Sequence, residues 1–463
     1  MILDQIEAFD RLVKSELPSR PAQLFGKACV LGGSIAGLLA ARVLSDHARE
    51  VVVVESDEVN VKGRPRAGVP QDRQGHGLLP GGGAQIERWL PGITKEAESL
   101  GAVLADPERQ AIYVDGYRQA RGSDAAILMG SRPFLESRIR ERVLALPNVS
   151  TVAARATGFE YRDEAVCAVR YATSGTGKES VMATDFVVDA MGRSSRLSEW
   201  VERDGYDRPR LERVRTGINY ATAHFERSVN HRAEDLVSAL ARVSPSLSID
   251  GVTVGAVNAI EDNQWLVMLM AYGENGAATS MENFRSACGK LPPIFAKATS
   301  GAVTRDILTY HQADSRRRVF AGCSHYPARL ISVGDAVASY SPVYGQGITS
   351  AALHGSCLSQ YLTSGPDLTT AAGAFFALQE VVVDAAWAVS AGGDAAMMDE
   401  ITGAEVPEDI QRQRWGMQQI AQATLTDETV SRAFTEVAYM LAHPSVLGDP
   451  SLIERAVAVN RGT

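Results

Sequence analysis

The sequence predicts an α/β protein with three parts: a βαβ-based domain, an antiparallel sheet domain and a C-terminal helical region. Three observations predict this class. Residues 27–56 have the pattern of a strand, a glycine turn, a helix and a buried β-branched strand. Residues 251–273 contain two apolar runs about a polar turn, and after residue 365 apolar residues recur at helical spacing. At 463 residues the chain is long enough for two or three packed units.

Composition narrows the class of protein further. Apolar residues make up 45% and charged residues 22%, the usual balance of a globular enzyme in water. The formal charge of −9 argues against a nucleic-acid or anionic-membrane surface, and no apolar run approaches the ~20 residues of a membrane span. The one dense basic run, residues 316–318, is predicted to be a solvated turn. Five scattered cysteines without CxxC spacing favour a reducing cytoplasm and argue against a zinc site or a disulfide framework.

The stretch "KACVLGGSIAGLLAARVLSDHAREVVVVES" carries a dinucleotide fingerprint in which serine replaces the second glycine. Gly32 permits a tight turn, and Gly37 lets the helix pack close to the strand. Ser34 is small enough for backbone to approach a phosphate and adds a hydroxyl donor. Glu55 ends the second strand, where a carboxylate accepts hydrogen bonds from a ribose without a 2′-phosphate. The unit therefore predicts a pyrophosphate site; the alternative is a structural βαβ unit that binds nothing.

Two later segments complete this pattern. "TDFVVDAMGRSSRLSEW" is a second strand and turn, in which Asp189 is predicted to fix local structure. "RLISVGDAVASYSPVYGQGITSAALHGSCLSQYL" is a strand, a Gly-Asp turn, a glycine-rich loop and a helix. Asp335 can accept from a ribitol or ribose hydroxyl, and Pro342 fixes the loop. Gly345 and Gly347 allow backbone against a flat ring, and the helix from Ile348 presents its amino end to an anionic edge. Three such segments around one nucleotide are what FAD binding needs.

Together, the Ser34-bearing fingerprint, "DAMGRSSR" and "GDAVASYSPVYGQG" resemble the FAD-dependent flavoprotein monooxygenases of the p-hydroxybenzoate hydroxylase fold. Within that fold, "RAGVPQDRQGHGLLPGG", "SRPFLESRIRERV" and "SPVYGQG" look like the actinobacterial polyketide-tailoring branch. That branch includes polyether olefin epoxidases and the FAD-dependent Diels–Alder decalin cyclases of spirotetramate and spirotetronate pathways. The resemblance covers roughly residues 27–400.

The resemblance implies a Rossmann-like FAD-binding domain of the GR2 type, an antiparallel β-sheet substrate domain and a C-terminal helical region. The expected boundaries are an N-terminal helical extension over 1–25 and an FAD-binding domain over 26–204 and 326–365, with substrate-domain insertions. The substrate domain is expected over 205–325 and the helical region over 366–463.

The resemblance also assigns site residues. Gly32, Ser34 and Gly37 would hold the pyrophosphate of FAD and Glu55 the adenosine ribose. The other cofactor contacts would be Arg66, Gln71, Arg132, Asp335, Pro342, Gly345, Gly347 and Ile348, and the substrate side would include His76, Trp265, Tyr344 and Gln346. The chain departs from the epoxidases at Gln74 and Gln346, where they have histidine, and at Ser341, where they have asparagine. At Gln74 and Gln346, the exchange of imidazole for a neutral amide removes a titratable group from a position expected near the flavin.

Three functions remain open from the sequence. The first is an FAD-dependent epoxidase or hydroxylase acting on a lipophilic polyketide-type substrate, with NAD(P)H as a transient reductant or a reductase partner. The second is a Diels–Alder cyclase in which FAD is structural and catalysis comes from holding the reacting ends together. The third is a flavin-binding module without chemistry. No residue stands out as a catalytic acid or base.

Overall fold

The computed structural model of the chain describes residues 2–57, 77–228, 235–273 and 278–462. The helices are α1 Ile2–Lys14, α2 Ile35–Ser45, α3 Pro80–Trp89, α4 Ile93–Ser99, α5 Arg132–Leu144, α6 Leu197–Arg203, α7 Met281–Lys290, α8 Pro293–Thr299, α9 Gly347–Thr363, α10 Gly373–Thr402, α11 Glu408–Ala423, α12 Glu428–Ala438 and α13 Pro450–Arg461. The strands are β1 Phe25–Leu31, β2 Ala48–Glu55, β3 Gly77–Leu78, β4 Val103–Ala105, β5 Gln110–Val114, β6 Tyr117–Arg118, β7 Ile127–Met129, β8 Val149–Arg162, β9 Ala165–Thr173, β10 Glu179–Ala183, β11 Phe186–Asp189, β12 Arg210–Glu226, β13 Ser238–Arg242, β14 Val252–Ile260, β15 Gln264–Tyr272, β16 Val303–Val319, β17 Leu330–Ser332 and β18 Ala338–Ser339.

The first sheet has the strand order β10-β9-β8-β2-β1-β11-β17. Strands β8, β2, β1, β11 and β17 are parallel to their neighbours, and β9 and β10 extend the edge as antiparallel strands. The β-branched run Val51–Val54 is buried in β2, as a strand covered on both faces requires. Helix α2 returns the chain between β1 and β2 and packs against α9. This confirms the predicted βαβ unit.

The second sheet has the order β18-β16-β12-β15-β14-β13-β5-β6. Its pairs are antiparallel except β13 with β5, which run parallel. Strands β5 and β6 precede residue 205, so segments inserted early in the chain complete this sheet. One face packs on α7 and α8. The opposite face, here called the inner face, carries Ile218, Tyr220, Met268, Met270 and Tyr272.

Helix α10 connects several packed regions. Phe375 and Val382 belong to the core of the first sheet, Met397 and Met398 pack against the inner face, and Val389 contacts the C-terminal helices. By length and composition α10 could cross a membrane, a candidate that the sequence did not predict. Half of its most apolar window is buried in the fold, as in a helix that packs into a protein core.

The prediction of a solvated turn at residues 316–318 is wrong. These arginines end strand β16. Arg317 Nε donates to Glu212 Oε2 at 2.6 Å, and Arg316 lies 3.0 Å from Asp314. The acids that pair with the run come from the neighbouring strand, from β16 itself and, with Asp384, from helix α10. The basic run alone could not reveal these ion pairs.

Candidate functional site

The turn between β1 and α2 is so tight that two of its positions require glycine. Gly32 has a φ of +104°, and a Cβ atom there would collide with the Ala190 carbonyl oxygen. A Cβ atom on Gly37 would overlap the Gly32 carbonyl oxygen. The turn and the start of α2 line a cavity, so the free N–H groups at the amino end of α2 lie beside it.

Glu55 braces this glycine turn. Its Oε2 accepts a hydrogen bond from the Gly33 N–H at 2.8 Å, and its Oε1 accepts from the Asp57 N–H at 2.9 Å. Each carboxylate oxygen has two lone pairs. Ser56 Oγ also lies 3.4 Å from Oε1. Glu55 lines the cavity, and its contact with the ribose stays a prediction.

The Ser34 hydroxyl is engaged by α5. It donates to Glu136 Oε2 at 2.6 Å and accepts from Arg132 Nη2 at 3.0 Å. A hydroxyl has one proton, so the bond to Glu136 takes the donor that we predicted for the pyrophosphate. The predicted hydroxyl donor is corrected accordingly: the Ser34 side chain joins the turn to α5. Ser34 also lines the cavity, so its backbone contact with the pyrophosphate stays a prediction.

Sequence analysis missed the other members of this buried cluster. Arg140 Nη2 donates to Glu136 Oε1 at 2.7 Å and to the Gly33 carbonyl at 2.6 Å, and Arg132 lies 3.6 Å from Glu136. The side chains of Arg132, Glu136 and Arg140 together carry a charge of +1, which suits a diphosphate beside the turn. Their spacing of four residues places them on one helix face, and this pattern could have indicated the cluster from the sequence.

The Gly-Asp segment forms a second tight turn after β17. Gly334 has a φ of +61°, and a Cβ atom there would lie 2.5 Å from the Ala36 Cβ, so this turn packs directly on α2. Asp335 lines the cavity. The two turns therefore meet at the same end of the sheet, as the sequence predicted.

The buried imidazole of His354 supports the Gly-Asp turn from α9. Its Nδ1 accepts the Gly334 N–H at 2.9 Å, and its Nε2 lies 3.5 Å from Ser350 Oγ, which is 3.1 Å from the Tyr340 hydroxyl. Burial lowers the pKa of His354 to about 3, so the ring is neutral at physiological pH and Nδ1 is free to accept. Because Tyr340 lines the cavity, this chain of groups ties the turn to the cavity wall.

Replacing His354 with leucine should weaken FAD binding by about tenfold, because the buried Gly334 N–H loses its acceptor at a cost of about 1–3 kcal/mol. His354→Gln should recover part of the affinity, since its amide oxygen can accept the same bond. Fluorescence titration of the apoprotein with FAD measures the effect, and Ser359→Ala on the same helix is the control. Wild-type affinity in the leucine variant would contradict this role.

The loop before α9 completes the cavity. Gly345 has a φ of +67°, and a Cβ atom added to Gly347 would meet no described atom within 4 Å. Since Gly347 and Ile348 line the cavity, the space beside Gly347 is cavity space, and a flat ring can lie against the backbone there. Pro342 precedes this turn and also lines the cavity.

The cavity has a volume of about 820 Å³, within the range of cofactor and ligand pockets. One wall comes from the β1–α2 turn, the end of β2 and Arg132. The other wall comes from the segment after β11, from Tyr310 and Gln312 of the second sheet, and from residues 339–342. The cavity therefore lies at the carboxyl ends of the parallel strands, where α/β sheets bind ligands.

Some predicted residues lie elsewhere. The prediction for Trp265 is wrong: it packs with Phe225 and Phe284 on the α7 and α8 side of the sheet, opposite Met268 and Met270. Gln346 is buried, and its amide nitrogen lies 3.4 Å from the Ala438 carbonyl, so its side chain points to the C-terminal helices and does not line the cavity.

Tyr344 packs against the inner face, with its hydroxyl beside Gly393 of α10, so its substrate-side role stays a prediction. Arg66, Gln71, Gln74 and His76 lie outside the described residues. Asp189 fixes local structure as predicted: it accepts from the Met191 N–H and from the hydroxyls of Ser195 and Ser332.

The residues at the cavity fit FAD. The turn at Gly32 and Gly37 brings the free N–H groups at the amino end of α2 beside the space for a diphosphate. The α5 cluster adds positive charge beside that turn, and Gly347 leaves space for a flat ring in the same cavity.

Comparison with known proteins agrees with this geometry. The model of the family described as "FAD binding domain" matches residues 26–364. Protein Rv3254 of Mycobacterium tuberculosis is 33% identical over 349 residues, which are 72% of this chain and 72% of that protein.

Two solved structures share the fold. The p-nitrophenol 4-monooxygenase PnpA from Pseudomonas putida DLL-E4 is similar with a TM-score of 0.60 and 16% identity, over 94% of this chain and 98% of that one. The Diels-Alderase PyrE3 of the pyrroindomycin pathway is similar with a TM-score of 0.54 and 15% identity, over 90% and 80%. With the family match covering most of the sequence and the cavity built for a dinucleotide, the chain belongs to the FAD-binding-domain family of flavoproteins.

Proposed function

We propose that this protein is an FAD-dependent monooxygenase, an epoxidase or hydroxylase that tailors a lipophilic polyketide-type substrate in the cytoplasm. The observation that carries the proposal is the junction of the cofactor cavity with the inner face. Tyr310 and Ser341 belong to the cavity wall, and directly behind them lie the apolar side chains of the inner face.

When bound, FAD supplies the redox and oxygen chemistry that side chains lack. The chain's own residues would bind and orient the cofactor and the substrate. The α2 turn and α5 hold the dinucleotide, His354 fixes the Gly-Asp turn, and the inner face shields an apolar substrate from water. Electrons would come from NADH or NADPH, bound transiently or delivered by a reductase partner.

A second candidate is a Diels–Alder cyclase of the decalin-forming kind, with FAD as part of the pocket wall. Two observations favour it. The fold is similar to that of PyrE3 over most of both chains, and Ser341 places a neutral hydroxyl on the cavity wall. Catalysis would then come from folding the substrate into a reactive conformer.

Anaerobic mixing of the yellow, FAD-loaded protein with NADH or NADPH should bleach the flavin absorbance, and admitting air should restore it. A monooxygenase requires this cycle, whereas a cyclase does not. FAD released on denaturation, measured in the same preparation, is the control for cofactor content. A flavin that stays oxidised with both nucleotides, alone and with an NAD(P)H-dependent flavin reductase added, would contradict the monooxygenase, and polyene turnover under argon with oxidised FAD would then establish the cyclase.

A further inference from the structure

A group of arginines surrounds the carboxylate of Asp314 at the wall of the cavity. Arg193 Nη2 and Arg316 Nη2 both donate to Asp314 Oδ1, the second at 3.0 Å. Arg193 Nη1 also donates to the Asp314 carbonyl and to Ser339 Oγ, each at 3.0 Å. Arg213 Nε lies 3.8 Å from Asp314 Oδ2. With three positive charges around one negative charge, the group has a net charge of +2.

The described residues do not neutralise this positive charge. In the part of the chain that the structure describes, every ion pair of these three arginines is with Asp314. Burial would raise the pKa of Asp314, but the hydrogen bond from Arg316 and the charge of Arg193 hold it below its usual value, so this carboxylate is ionised. Burial lowers the pKa of Arg318, and repulsion by Arg316 and Arg213 adds to this effect. An anionic partner would therefore stabilise the group.

Two of the arginines are open to the cavity. Arg193 and Arg316 line it, and 25% and 22% of their side chains are exposed. Arg316 donates to Asp314 through Nη2, and its Nη1 has no hydrogen bond to the described residues. The Asp314 carboxylate thus orients both guanidinium groups, and Arg316 keeps N–H donors for a ligand.

The arginine group is distinct from the charges that serve the diphosphate of FAD. The α5 cluster is joined to the β1–α2 turn through Ser34 and the Gly33 carbonyl. The arginine group is instead held by Asp314 of β16 and Ser339 of β18, which belong to the second sheet. Because the α5 cluster and the amino end of α2 already supply positive charge to the turn, the arginine group is available to another anion.

Strand β16 leads from the arginines to the apolar inner face. Side chains alternate along a strand, so Tyr310, Gln312 and Arg316 point to the same side, and all three line the cavity. Tyr310 packs against the inner face. At about 3.3 Å per residue, the six positions between Tyr310 and Arg316 span about 20 Å. A ligand along this wall would place an anionic group at the arginines and an apolar body near Tyr310.

We propose that Arg193 and Arg316 bind a carboxylate of the substrate, which is therefore a lipophilic acid. A planar guanidinium group donates paired N–H groups to a carboxylate and stays charged at all physiological pH values. The substrate carboxylate supplies counter-charge to the Asp314 group, and its apolar body extends along β16 to the inner face. The inference rests on the proposed function, since it names the class of substrate for the same cavity.

The test compares two probes of similar shape, 2-naphthoate and 2-naphthol, titrated into the FAD-loaded protein at about pH 7, where the first is an anion and the second is neutral. Binding is followed by calorimetry and by the flavin absorbance change. The wild type should bind 2-naphthoate at least about tenfold more tightly than 2-naphthol. Arg316→Gln should lower the affinity for 2-naphthoate by about tenfold and leave that for 2-naphthol unchanged, because a charge-assisted hydrogen bond is lost.

Two further variants control for charge and position. Arg316→Lys should bind 2-naphthoate with intermediate affinity, since an ammonium group keeps the charge but not the paired donors. Arg305→Gln removes a positive charge from an exposed position of the same strand and should keep the wild-type preference. The same preference in the wild type and Arg316→Gln would overturn the proposal, as would equal affinity of the wild type for both probes.

The remaining measurements separate a substrate carboxylate from the phosphates of FAD and of a nicotinamide nucleotide. FAD content should be the same in the wild type and Arg316→Gln, and loss of FAD from the variant would assign Arg316 to the cofactor and overturn the proposal. NADP+ should not displace bound 2-naphthoate, and displacement would assign the arginines to the nucleotide and also overturn it. A wild type without FAD would contradict the proposed function, whereas a wild type that holds FAD and prefers 2-naphthol would contradict this inference alone.

Discussion

Replacing Gly37 with alanine should destabilise the fold by about 3 kcal/mol and abolish FAD retention. The added Cβ atom would overlap the Gly32 carbonyl oxygen, a backbone atom of a turn that is itself held against Ala190. Neither the added Cβ atom nor the Gly32 carbonyl group can move away without separating α2 from β1. The intrinsic helix preference for alanine over glycine, about 1 kcal/mol, has the opposite sign but is smaller than this overlap.

Gly355→Ala is the matched control. Gly355 also lies in a buried helix, but a Cβ atom there would meet its nearest neighbour, Trp89 Nε1, at an ordinary contact distance of 3.8 Å. We expect that variant to be as stable as the wild type or more stable by up to about 1 kcal/mol. For both variants, urea unfolding followed by circular dichroism measures the stability, and the flavin-to-protein absorbance ratio measures the FAD content. Wild-type stability and FAD content in Gly37→Ala would show that the turn is looser than described.

Asp394→Asn should remove a large pH-dependent destabilisation of the protein. Burial raises the pKa of Asp394 to about 7, whereas the same group in the unfolded chain titrates near 3.9. Between these values the folded state holds a proton that the unfolded chain releases, so raising the pH favours unfolding. The contribution is complete above about pH 7 and amounts to at most about 4 kcal/mol. The neighbouring hydroxyls of Tyr220, Tyr272 and Tyr344 have raised pKa values and stay neutral throughout.

Urea unfolding of the wild type and Asp394→Asn at a series of pH values measures this contribution. The free energy of unfolding of Asp394→Asn, relative to that of the wild type, should increase as the pH rises from about 3.9 to about 7 and then stay constant. Asp399→Asn controls for loss of a carboxylate from the same helix. Parallel pH profiles for wild type and Asp394→Asn would contradict a raised pKa at this site.

Much of the fold could be predicted from local sequence because local chemistry determines it. The β-branched run of β2 can only be a buried strand, and Gly32 and Gly345 occupy positive-φ positions that few other residues adopt. The Gly-Asp turn and the start of α9 follow from the same type of evidence. The family match is consistent with these motifs, since it spans all three.

What could not be predicted depends on contacts between distant segments. Ser34 meets Glu136 across 102 positions, and only the packed fold shows that its proton is taken. Trp265 was misassigned because both faces of β15 are apolar, so alternation could not show which face is inside. Asp394 is one of five acids in helix α10, and nothing in the local sequence distinguishes it from those at solvated positions.

Helix α10 acts as a strut between the two sheets. Its first half is embedded beside the parallel sheet and its second half lies on the inner face, without a break over 30 residues. A hinge motion between the two sheets would have to bend or break helix α10. We therefore expect the two sheets to move as one rigid body and to unfold in a single transition. Exchange of cofactor and substrate must then proceed by local opening at the rim of the cavity and not by separation of domains.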